Sequence, residues 1–143
     1  MVHKKREKFA RYEIKTNTNS KWFELFIFDN AKELEKYLDK IQPGLCHNCL
    51  GQVTPTPYIS REDGEYYCSK FATMFLSEGN LGVGIIAHEC LHLALAYERY
   101  VLGFRGDYGN DCNDDEERLA YKLTEFVRMV YEIIYAHGHA KER

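Results

Sequence analysis

Long apolar runs are scarce in this chain. Outside one segment, Leu81 to Tyr97, no stretch of roughly 18 uncharged apolar residues occurs, and that segment carries glycines and a metal-type motif that suit a protein core better than a bilayer. No membrane partner is therefore expected. An internal repeat and a low-complexity tract are also missing. Nor does one sign of charge dominate: 19 Lys and Arg stand against 22 Asp and Glu, for a net charge of -3, so bulk nucleic-acid binding is not expected. The locally basic residues Lys4, Lys5, Arg6 and Lys8 are not followed by a continuous apolar region, so they read as a frayed, solvated end and not as a secretory signal. Cysteine does not come in pairs. Five of them, at 46, 49, 68, 90 and 112, without a signal segment read as reduced thiols in a cytoplasmic protein.

What remains suits one ordinary domain. The 143 residues, 45% of them apolar, can build a core without disulfide or metal staples, so a single domain over 1–143 is expected. Tyr12 to Lys15 and Trp22 to Phe28 have the aromatic and β-branched content of strands, and they are expected to form a hairpin. Asp29-Asn30 opens a helix with Leu34, Tyr37, Leu38 and Ile41 on one face, Glu33 as capping partner and Pro43-Gly44 as its stop. Tyr58 to Ser60 and Tyr66 to Ser69 flank the turn signal Glu62-Asp63-Gly64, and Phe71 to Leu76 reads as a strand leading into the Leu81–Tyr97 segment. Strands first and two long helices last predict an α+β fold, with a small mixed or antiparallel sheet packed against the motif helix and a long C-terminal helix.

The chemistry lies in His88-Glu89-Cys90-Leu91-His92. On a helix, positions i and i+4 share a face about one turn apart, so both imidazoles can reach one metal with Glu89 beside it. The surrounding run is almost wholly apolar, has no proline and is too long for a strand, so it predicts a buried helix capped by Asn80 and closed by Gly103. Burying His88, Glu89 and His92 without partners would cost several kcal/mol, and a metal satisfies them together. Cys90 falls about 200° around the helix from His88 and is expected in the core.

A hydrolytic zinc site uses three protein ligands and one open position. The third is sought in the acidic first turn of a helix running from Asn113 to Tyr135, with Leu119, Leu123, Phe126, Val127, Val130 and Ile134 on its apolar face. Asn113 with Glu116 fits a capping box, and carboxylates favour helix N-termini with or without a metal. Glu117 is therefore preferred to Glu116, with small Ala120 one turn on leaving room for a facing helix.

His88-Glu89-x-x-His92 followed by Glu116-Glu117-Arg118-Leu119-Ala120-Tyr121 resembles the gluzincin-type zinc metallopeptidases, especially the small metallopeptidases of bacteria and phages with an Asp/Glu-Glu-x-x-Ala-Tyr second motif. The resemblance covers roughly Phe71 to Val130. It implies a zincin-like fold, a Zn2+ held by His88, His92 and Glu117, and Glu89 as general base for zinc-activated water in the hydrolysis of peptide bonds. Larger secreted gluzincins carry an Asp four residues after the glutamate ligand, where this chain has Tyr121. The expected partner is a peptide or protein substrate. The alternative is a metal-binding zincin-like regulatory or interaction domain with little or no protease activity.

Other motifs are weaker. Tyr97, Arg105, Tyr108, His137 and His139 are candidates for an oxyanion donor, each with a packing or helix-end explanation. Cys46-His-Asn-Cys49 with Cys68 lacks a good fourth ligand for structural zinc, since His47 is poorly spaced, and it reads as a Gly-Pro-bounded loop. An extended peptide is expected to pair along an open edge at Phe71 to Leu76.

Overall fold

The computed structural model describes residues 8–16, 21–44, 50–56, 69–106, 108 and 114–139, with 59–61, 64–66 and 113 as backbone. Four strands build the main sheet: β1 (Phe9–Lys15), β2 (Trp22–Phe28), β3 (Gly51–Pro55) and β6 (Lys70–Ser77), in the order β1-β2-β6-β3. The β1/β2 and β3/β6 pairs are antiparallel and β2/β6 is parallel, so the sheet is mixed. Two short strands, β4 (Ile59–Arg61) and β5 (Gly64–Tyr66), form a separate antiparallel pair, and Glu62 and Asp63 of the expected turn lie outside the described residues. Helices α1 (Ala31–Ile41), α2 (Val83–Tyr100) and α3 (Asn113–Ala136) complete an α+β fold.

Alternation along β2 sorts the helices onto two faces. Phe26 and Phe28 meet Leu34 and Leu38 of α1 and Phe75 of β6, while Phe23, Leu25 and Ile27 point to the side covered by α2 and α3. α1 starts as expected, with the Asn30 side chain accepting the Glu33 backbone N–H at 2.9 Å. On the opposite face Phe23, Phe71, Tyr97 and Phe126 form an aromatic cluster with ring centroids 5.4 to 6.0 Å apart, joining the sheet to both long helices. Phe126, Val130 and Ile134 of α3 are all buried there. At about 1.5–3 kcal/mol per fully buried large apolar side chain, these contacts hold α3 in place.

Three expectations give way. Phe71 to Leu76 lies inside β6, paired on both sides, so it is not an edge; among the described residues the outer strand on that side is β3. Asn80 does not cap α2: the N-cap is Gly82, with no side-chain bond, and the Asn80 amide donates to Ser77 Oγ at 3.3 Å. α2 is also not buried all round, because Val83, Leu91 and Leu95 are exposed along one side. The sheet and α3 cover only two sides of this helix. Its far end behaves as predicted, with Gly103 at φ 71° and the Phe104 N–H donating to the Glu98 carbonyl. Among the described residues no helix is long and apolar enough to cross a membrane.

Candidate metal centre

His88 and His92 stand one turn apart on the open side of α2, both exposed. Their Nε2 atoms are 3.3 Å apart. Two ligands about 2.05 Å from a tetrahedral zinc are separated by about 3.3 Å, so the pair already has the spacing of one edge of a zinc tetrahedron. The rings meet edge to face at 74°.

Glu89 differs from the pair. It is 5% exposed, its Oε1 lies 3.7 Å from His88 Nε2, and its Oε2 is buried with no hydrogen-bond partner among the described residues. Burial pushes its carboxyl above the ordinary carboxylate value, while the neighbouring His92 and His88 pull it back. The space it occupies is provided by β3. A Cβ on Gly51 would sit 2.9 Å from Glu89 Cγ and 3.3 Å from its carboxyl carbon, so the strand passes this side chain closely only because residue 51 is glycine.

Among the described residues, one group of three or more metal-ligating side chains has its donor atoms within 4.8 Å of one another: His88, Glu89 and His92. Glu117, the expected third ligand, is not brought to it. Arg118 and Phe126 of α3 meet Glu98 and Tyr97 of α2, so the start of α3 lies at the C-terminal end of α2, beyond the histidines. Glu117 is also nine positions before Phe126, about half a turn around the helix axis, and it is exposed on the side away from the core. Tyr121, one turn on, is 73% exposed, and Glu116 is exposed too.

The remaining candidates find other work. Tyr97 is a core residue beneath the Lys122 ammonium, 4.3 Å from its ring. His139 bonds the Tyr12 hydroxyl at 2.6 Å and Glu78 at 2.7 Å, and His137 packs on the Tyr12 ring. Cys90 is fully buried, its thiol pushed up to about 12 by burial first and Glu89 second. Cys46, His47, Cys49, Cys68 and Cys112 lie outside the described residues.

No family model, curated protein or solved structure matches this chain. Its chemistry is therefore read from its own residues. Sequence reasoning passed over β3, whose five residues Gly51-Gln-Val-Thr-Pro55 begin and end on residues that punctuate loops. The adjacent β-branched pair Val53-Thr54 was the available signal. Val53 and Pro55 line a cleft of about 190 Å³ with His92, Leu95 and Arg99 of α2. The Thr56 N–H donates to the Phe71 carbonyl at 2.7 Å, which fixes the alternation of the β3/β6 ladder and turns the Val53 N–H outward, away from β6.

Proposed function

We propose that this chain is a zinc-dependent metallopeptidase of zincin-like design, in which His88 and His92 hold the metal and Glu89 is the general base. The observation that carries the reading is the 3.3 Å separation of the two Nε2 atoms beside a buried carboxylate oxygen that has no partner among the described residues. Bound there, zinc would supply a Lewis acid for a peptide carbonyl and acidify a water molecule. Glu89 takes the proton of the attacking water and returns it to the departing amine. Burial assists the first transfer, because a carboxylate whose pKa is raised takes up a proton more readily. The outward Val53 N–H on the β3 edge lines up an extended substrate beside the pair by main-chain pairing.

A second reading has an observation of its own. The described residues bring two imidazoles together without a third ligand other than Glu89 itself, and a carboxylate used as a ligand cannot also serve as base. That reading is a metal-binding regulatory domain with little turnover. Glu89→Gln separates the two. A base can be lost with zinc retained and hydrolysis of a quenched fluorescent peptide reduced by at least about 100-fold. If zinc is lost with the carboxylate, Glu89 is a ligand and the peptidase reading fails.

A further inference from the structure

A second cleft opens one step further along α2. It measures about 420 Å³, is lined by Glu98, Arg99, Phe104 and Arg105 among others, and shares Leu95 and Arg99 with the smaller cleft beside His92. The two clefts meet at Leu95 and Arg99, and together they reach from His92 to the C-terminal end of α2.

Among the described residues, the charge at their far end is uncompensated. Glu98 is 1% exposed, and both its carboxylate oxygens are taken by Arg118 Nε at 2.9 and 2.8 Å. It therefore does not neutralise Arg99 or Arg105, both exposed and without an ion-pair partner among the described residues. Arg105 donates through Nη1 to the Arg99 carbonyl at 3.3 Å, which fixes its guanidinium at this end of the helix and uses one of its five N–H donors. A basic residue in a last helical turn favours the dipole, and that suffices to explain Arg99 alone. It does not explain a second arginine pinned beside it at the mouth of a cleft.

We infer that this groove selects peptides with an acidic side chain a few residues before the bond to be cut, held by Arg99 and Arg105. The inference rests on the peptidase reading and names its substrate class. Gly51 packs on Glu89 while Val53 and Pro55 lie beside His92 and Arg99, so β3 runs in the same direction as α2. A strand added antiparallel to β3, the stronger pairing, places its N-terminal residues at the arginine end. Seven helical residues separate His92 from Arg99, about 10 Å, which an extended chain covers in about three residues. Between the two ends the floor is apolar, with Val53, Pro55 and Leu95. The residues between the acid and the cut bond are accordingly apolar.

The test has two arms, one of them independent of turnover. In the first, zinc-loaded protein digests a denatured peptide mixture and the cut sites are mapped by mass spectrometry. In the second, Glu89→Gln protein binds a labelled nonapeptide carrying Glu, or Gln in its place, three residues before a central Leu-Ala bond. Cut sites are expected to carry Asp or Glu two to four residues upstream about tenfold above background, and the Glu peptide to bind about tenfold more tightly than the Gln peptide. Both preferences fall to about one in R99Q/R105Q, and R99E/R105E prefers Lys. Cutting with no acidic preference, or a preference that survives R99Q/R105Q, overturns the inference while the peptidase reading stands. If nothing is cut, the peptidase reading fails and the binding arm decides: Arg-dependent preference for the Glu peptide supports the groove, and equal binding or none overturns it.

Discussion

Glu89 and Gly51 are matched across the space between helix and strand, and each explains the other. A methyl group at 51 would press on the Glu89 side chain at 2.9 Å, so Gly51→Ala is expected to displace the carboxylate from the histidine pair and reduce peptide hydrolysis by at least about tenfold, with zinc content unchanged. Unchanged activity would show that the position of Glu89 does not matter. Cys90, on the side of the same helix opposite His88, is fully buried and resists ionisation. It should escape alkylation by iodoacetamide in native protein at pH 8 and react once the chain is unfolded, which peptide mapping by mass spectrometry would detect. The histidine spacing and the buried thiol were legible in the sequence because both follow from the 3.6-residue period. The glycine was not, because its role depends on a strand far away along the chain.

At the scale of elements, local signals succeeded where short-range physics decides. Trp22 to Phe28 came out with its expected bounds, and Asn30 caps α1 as its side-chain chemistry dictates. The misreadings concern neighbours. Whether α2 is buried all round, and whether β6 is central or at an edge, depends on what packs beside them, which periodicity does not reveal. The joint between α2 and α3 shows how much one buried pair can matter. Glu98 is enclosed and doubly bonded by Arg118, whose side chain is 38% exposed, so Arg118→Ala is expected to destabilise the fold by about 2–3 kcal/mol, somewhat below the loss for a fully buried pair. Urea denaturation measures this, and a change under about 0.5 kcal/mol would mean that the pair does not hold the helices together. On the β3 edge, Val53→Pro removes an outward N–H without breaking the ladder to β6, so peptide affinity should fall several-fold while thermal stability changes little.

For the whole molecule, one sheet sits between two unequal helical layers, and the histidine pair lies where α2 meets β3, the last strand in the sheet order. The α+β class followed from the order of segments, but the strand order did not, since the parallel β2/β6 pairing joins segments more than 40 residues apart. Glu117 lies on the side of α3 away from the core, because the apolar face of that helix turns it outward. The most direct measurement is metal content by elemental mass analysis of protein purified without a histidine tag, for wild type, His92→Ala and Glu117→Gln. The account predicts one zinc per chain in wild type and in Glu117→Gln, and none in His92→Ala. Zinc retained in His92→Ala, or absent from wild type, would contradict it.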